Sequence, residues 1–236
     1  MSSLLAHELL RAPVGAGDGR FFGVYTALVT DVKDPDGQGR VRIKLPWSPD
    51  PSSAVWEAWA RLSTLMAGNK RGTWFIPDVD DEVLIAFLGG DPRHPFVVGA
   101  LWNGKDAPPQ SMDGSGKNAI KQICSRNGVK VTIDDQDGKE SLKLETPGGG
   151  KVTISDGPST VKVEDANGNS VELASGGITV TASAKVTVNA SQVAISAGMV
   201  QVDAAMSKFS GVVQADTVIS NSVVSSSYTP GAGNIW

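Results

Sequence analysis

Val161-Lys-Val163 is one of a long series in which two apolar residues flank a single intervening one. The others are Val129-Lys-Val-Thr-Ile133, Leu142-Lys-Leu144, Val152-Thr-Ile154, Val171-Glu-Leu173, Ile178-Thr-Val180, Val186-Thr-Val188, Val193-Ala-Ile195 and Val200-Gln-Val202, with looser pairs near Val212 and Val218. Side chains on a strand point alternately to opposite faces, so each pair predicts a short strand with one apolar face. The earlier units are separated by Asn127-Gly128, Asp137-Gly138, Gly148-Gly-Gly150, Asp156-Gly157 and Asn167-Gly168, which supply the positive φ of tight turns. Spacing from pair to pair starts at 13 residues, settles near 10 and tightens to 7 or 8 from Ile178 onward.

A strand with two inward residues cannot bury its apolar side alone, so such units must stack on one another and on something else. A single-chain β-helix would consume about three pairs in each three-sided rung, leaving only a few rungs. If three chains wind together, each pair supplies one side of a triangular rung and the series makes a long prism. The Val, Ser, Thr and Ala composition favours that narrower object, and closure of three chains leaves no lateral sheet edge.

Upstream the chain changes character. Of its 14 aromatic residues, 11 lie at or before Trp102, and only Phe209, Tyr228 and Trp236 follow. Phe22–Thr30, Arg40–Leu45, Trp56–Leu62, Glu82–Leu88 and Phe96–Trp102 read as strands. They are separated by turn-forming runs at Asp34–Gly39, Pro46–Pro51, Gly68–Gly72 and Gly89–Pro92. Five strands without a convincing long helix predict a small Greek-key barrel of the OB type. The Gly- and Pro-containing stretch Asn103–Lys117 reads as a linker. The predicted organisation is all-β: an arm over 1–20, an OB-type barrel over 21–106, a linker over 107–119, a triple-stranded, intertwined, homotrimeric β-helix over 120–227 and a tip segment over 228–236.

The whole-chain composition excludes several classes. Charged residues make up 19% and the net charge is −4, which fits neither a polybasic nucleic-acid binder nor a charged disordered chain. One cysteine and two histidines exclude a disulfide scaffold and a His-rich metal enzyme. Val83–Leu88 is the longest apolar run, far short of the roughly 18 residues that span a bilayer. Met1–Arg11 lacks a basic n-region, so synthesis in the cytoplasm is expected. The only charged residues from 176 to 236 are Lys185, Asp203, Lys208 and Asp216, too few for a polysaccharide lyase or hydrolase on a β-helix. The expectation is a protein that is not an enzyme, with no catalytic residues, metal or cofactor.

Thr30-Asp-Val-Lys-Asp-Pro-Asp-Gly-Gln-Gly-Arg-Val-Arg-Ile-Lys-Leu-Pro-Trp47, the run Thr73–Gly99 with its Gly90-Asp-Pro-x-x-Pro95 core, and Leu101-Trp-Asn-Gly104 resemble the OB domain of phage baseplate assembly protein V. The same pattern occurs in valine-glycine repeat spike proteins of type VI secretion and related contractile injection systems, and the resemblance covers about Phe21 to Val218. It implies a homotrimeric central spike, in a phage tail or injection particle, that pierces a target cell envelope. Only about 20 residues precede the barrel, which implies a separate trimeric hub protein at the tube end. The linker is too short for an inserted lysozyme domain, so no muramidase activity carries over. The family further implies a cone-shaped tip protein of the proline-alanine-alanine-arginine (PAAR) repeat kind.

Two segments are candidate partner sites. Leu4, Leu5, Leu9 and Leu10, with Ser3 as cap and Pro13 as stop, predict a short helix whose apolar face binds the hub. Tyr228, Pro230, Ile235 and Trp236 form the candidate site for the tip protein. The last twenty residues hold no His, Cys or charged side chain, so no metal is expected there.

Other features have plainer readings. Asp134–Glu140 fails the alternating-ligand pattern of a calcium loop and reads as a hairpin turn. His94, beside Asp91 and Arg93, reads as a turn residue, and Cys124 as a small packing residue. Trp56, Trp59, Trp74 and Trp102 could stack bases on an OB face. Residues 1–115, however, carry 11 basic and 14 acidic side chains, which favours core and subunit packing and no nucleic acid partner. The alternative function is an OB-domain binding module for oligosaccharide or oligonucleotide.

Overall fold

The computed structural model describes residues 19–48 and 56–227. Its first part is a closed barrel of five strands: β1 (Val24–Asp31), β2 (Val41–Lys44), β3 (Glu57–Leu62), β6 (Glu82–Phe87) and β7 (Pro95–Ala100), in the order β1-β2-β3-β7-β6. β1 pairs antiparallel with both β2 and β6, and a short parallel contact, Arg61 opposite Phe96 and Leu62 opposite Val97, closes the ring. The strands form because apolar residues alternate. Ala27, Val29, Val41, Ile43, Ala60, Val83 and Ile85 all point inward and are fully buried.

An aromatic cluster fills one end of the barrel. Phe21, Tyr25, Trp47, Trp56 and Phe87 form six ring pairs with centroids 5.4–6.2 Å apart, and the indole N–H of Trp47 donates to the Thr26 carbonyl at 3.0 Å. This accounts for Trp56 as a core residue.

The five expected strands are present. The separator at Gly68–Gly72 holds more order than its turn chemistry suggests: β4 (Ala67–Gly68) and β5 (Arg71–Gly72) make a miniature hairpin. At φ +150 a Cβ on Gly72 would lie 2.5 Å from the Met66 carbonyl, so only glycine fits there.

Beyond the linker, β8 (Ile120–Cys124), β9 (Lys130–Asp134), β10 (Ser141–Glu145), β11 (Lys151–Asp156), β12 (Ser159–Glu164), β13 (Ser170–Ala174) and β14 (Gly177–Thr181) form one antiparallel meander in chain order. The apolar pairs from Val131 to Val180 lie in β9–β14, one pair per strand. β8 escaped sequence reading because Ile120 and Ile123 break the alternation.

From Val186 the behaviour differs. Among the described residues 186–227 there is no ladder within the chain. The backbone is extended and bends at Ser191, Gly198 and Ala205, seven residues apart, and then at Gly211, Asp216, Asn221 and Ser226, five apart. The spacing already tightens at Ile178, one unit ahead of this change, since Ile178 and Val180 still pair with β13 as part of β14.

Candidate assembly interface

The registers of the meander align its apolar residues into two columns. One runs Val131, Leu144, Val152, Val163, Val171, Val180; the other runs Ile133, Leu142, Ile154, Val161, Leu173, Ile178. Alternation puts both columns on the same face, and seven strands at about 4.8 Å spacing make that sheet about 29 Å across its strands.

This face is the open one. Leu144 is 43% exposed, Val163 49% and Val180 58%, against complete burial for Ile43 and Ile85 in the barrel. Twelve half-covered aliphatic side chains leave roughly 1 kcal/mol each to be gained on burial, on the order of 10 kcal/mol per chain. A face of this size on a soluble sheet marks an interface.

The opposite face is polar and internally paired. Lys130, Glu145, Lys151 and Glu164 stand opposite one another in successive strands, so the sign alternates along the column. Lys162 and, less strongly, Lys151 reach the Glu164 carboxylate at 2.5 and 3.3 Å, which holds that carboxyl below its ordinary range. Thr132 is buried on this side, and Gln122 donates to its hydroxyl at 2.9 Å. Complementary cross-strand pairs of this kind fix the register that aligns the apolar columns.

The turns are braced by carboxylates. Asp165, between β12 and β13, accepts from the backbone N–H groups of Asn167 and Asn169 at 2.8 and 3.0 Å and from the Asn169 amide at 2.8 Å. These bonds, the Asn169 side chain foremost, push its pKa down to about 2. Asp113 does the same in the linker through the Ser115 hydroxyl and the N–H groups of Ser115, Lys117 and Ala119, and is likewise pushed down to about 2.

The barrel loops are built alike. Asp34 accepts from the N–H groups of Asp36, Gln38 and Arg40 at 2.7–3.1 Å, and the Arg40 guanidinium holds its carboxyl well below the usual range. Arg40 also lies over the Trp59 ring. In the Gly90–Pro95 run, Asp91 grips Arg93, and the His94 N–H donates to the Asp91 carbonyl at 3.0 Å, which makes His94 a turn residue. A surface ion pair, Arg126 to Asp78 at 2.9 Å, ties the β8–β9 turn to the barrel.

Asp134–Glu140 is a hairpin turn: the Gln136 N–H donates to Asp134, the Gly138 N–H to Glu140, and Asp135 pairs with Lys121. Cys124, expected as a packing residue, is exposed in the single chain because it ends β8 with its Sγ turned to the Ser125 carbonyl. Trp74 and Trp102 are exposed as well. The hub-site residues Leu4, Leu5, Leu9 and Leu10 and the tip-site residues Tyr228, Pro230, Ile235 and Trp236 lie outside the described residues. Sequence reading missed the five-residue repeat over 211–226, in which Val213, Val218 and Val223 recur. Its signal was present in Gly211, Asp216, Asn221 and Ser226 at equal spacing.

A closed OB barrel followed by a meander with one bare apolar face and a tail of short extended repeats defines a class: a collar domain carrying a β-rich trimerising stalk. Comparison with known proteins gives it a family. The profile of the type VI secretion system/phage-baseplate injector OB domain matches residues 25–102, and that of the phage baseplate V C-terminal trimerisation domain matches 141–204. Together they span more than half of the chain, which belongs to the baseplate V and spike protein family.

Similar curated proteins include type VI secretion system spike protein VgrG1a of Pseudomonas aeruginosa, 29% identical over 133 residues, covering 52% of this chain and 21% of the relative. Spike protein VgrG4b of the same species is 31% identical over 145 residues, 56% and 18% of the two chains. Actin cross-linking toxin VgrG1 of Vibrio cholerae is 27% identical over 128 residues, 50% and 12%. The matched region thus spans about a fifth or less of these relatives. No helix among the described residues is long and apolar enough to cross a membrane.

Proposed function

We propose that the protein is the central spike of a phage tail or contractile injection system, a homotrimer that acts by mechanics and without turnover. Made in the cytoplasm and built into the particle, it is driven through a target envelope when the surrounding sheath contracts. The proposed organisation is an arm over 1–20, the barrel over 21–106, a linker over 107–119, the spike over 120–227 and the tip segment over 228–236. One observation carries the reading. The apolar face of β9–β14 is unbroken across six strands, then gives way to repeats whose backbone groups have no ladder partner among the described residues. Burial of the first and hydrogen bonding of the second both call for further copies of the same segment, and continuous interchain ladders suit a body that must resist buckling.

Light scattering on the purified chain tests it. The expected mass is three times 24.5 kDa, with the trimer surviving SDS until boiled; a well-folded monomer sinks the proposal.

Two partners complete the proposal. The barrel end with the arm seats on a separate trimeric hub through Leu4, Leu5, Leu9 and Leu10. Deletion of residues 1–19 is expected to weaken co-purification with the hub while the spike stays trimeric, and unchanged binding would move the contact to the barrel loops. The distal end meets a PAAR-repeat-like tip protein through Tyr228, Pro230, Ile235 and Trp236. Truncation after Ser227 should release the tip protein from an intact trimer; untouched tip binding rejects that site.

A further inference from the structure

We infer that the outer surface of β1, β6 and β7 is a barrel-to-barrel contact with a second copy of this chain, distinct from the contact made by the β9–β14 face; the inference rests on the trimeric reading above. The two halves of the barrel exterior differ sharply. On β2 and β3 the outward positions include Arg42, Lys44, Glu57 and Arg61, with Arg42 and Glu57 paired at 2.8 Å, as a solvated strand surface should be. On β1, β6 and β7 the outward positions include Val24, Thr26, Leu28, Leu84, Ala86 and Val98, and Phe96 marks the border between the halves, with the Arg61 guanidinium 5.5 Å from its ring centroid.

Register joins these residues into one surface: Val24 lies opposite Ala86, which lies opposite Phe96, while Leu84 lies opposite Gly99. Between Leu84 and Ile85 the pairing slips, leaving Val98 as the extra residue of a bulge, 45% exposed. Glu82 stands at the border of the surface. It is buried and accepts from the Asn103 amide at 2.9 Å. Alternation that puts apolar residues on both faces of a strand belongs to a strand covered on both faces.

The covering partner is a second copy because this side of the barrel is joined to the trimerising part of the chain. The Leu101 N–H donates to the Glu82 carbonyl at 3.0 Å, so β6 and the exit from β7 toward the linker lie together. Asp78, just ahead of β6, holds Arg126 at the root of the meander. Copies gathered on one axis by their stalks therefore bring their β6–β7 sides toward each other. Cyclic symmetry then sets the apolar surface of one copy against its neighbour, with Arg61 and Glu82 at its borders.

The test replaces Val98 with the photocrosslinker p-benzoyl-phenylalanine in the full chain, with the same replacement at Lys44 as the control on the charged side. After irradiation and boiling, the Val98 variant is expected to run at two and three chain masses, with crosslinked peptides drawn from residues 19–102 of a neighbour, while the Lys44 variant runs at one. Light scattering on the same samples separates the two readings. A trimer whose Val98 product stays at single-chain mass, or crosslinks only to a hub protein when one is present, overturns this contact and leaves the spike standing. Absence of any trimer overturns both.

A second variant, Val24→Lys with Val98→Lys, changes only outward positions. It is expected to keep the trimer mass while amide exchange over residues 24–28 accelerates at least tenfold. Exchange equal to that of the unaltered chain overturns the contact.

Discussion

The barrel and the meander use the same alternation of apolar and polar residues and end in opposite states. In the barrel the strands close on themselves, and seven inward side chains reach zero exposure within one chain. In the meander the sheet stays unclosed, every strand pairs only with its sequence neighbours, and the aliphatic face stays open. The difference teaches that a periodic strand pattern specifies a face, whereas closure specifies what covers it. A sheet that curls back supplies its own cover; one that runs straight must borrow it.

The comparison breaks most visibly if the open face is charged. Val163→Asp or Val180→Asp places a carboxylate from each copy in the apolar columns, at a cost of several kcal/mol per charge. Light scattering should fall from trimer to monomer mass, while near-ultraviolet circular dichroism from the barrel aromatics persists. A retained trimer would mean that the columns are not the interface.

The complementary experiment is Ile43→Ala, which removes a fully buried barrel side chain. It should cost about 2–5 kcal/mol in barrel unfolding by denaturant, with the trimer mass unchanged because the stalk is untouched. Loss of the trimer would show that barrel and stalk fold as one cooperative unit.

Acid sharpens the contrast at the turns. The Asp165 pKa is depressed to about 2 in the folded chain from an ordinary 3.8, so its bracing is fully present above about pH 4 and is lost as pH falls through about 2. Melting of the stalk followed from pH 6 to pH 2 should decline at the acid end, and Asp165→Ala should flatten that decline. Asp34 is depressed further by Arg40, so the barrel loop should release at lower pH than the β12–β13 turn.

The smallest effect belongs to the polar face. Lys151→Ala removes one partner of an exposed ladder and should change stability by less than about 1 kcal/mol, with trimer mass unaltered. A collapse of the trimer would put that face, and not the aliphatic columns, at the interface.

Much of this was legible in the residues. The apolar pairs named six of the seven meander strands, and Gly-containing dipeptides marked turns between them, because side-chain alternation and positive φ are local properties. The barrel strands were readable for the same reason, as was the turn role of His94. β8 was not, since its pairing to β9 depends on contacts such as Gln122 to Thr132 that no spacing announces. Trp56 and Trp74 could not be told apart by type; one joins the aromatic cluster and the other faces out, which only the packing of the strands decides. The sequence by itself determined that apolar residues would line one side of each repeat and that the repeats would shorten toward the carboxyl end. Tertiary structure decided which repeats pair within the chain and which run on without a ladder among the described residues, because reversal needs both a turn and a neighbouring strand in register, and the second is set only when the chain is folded.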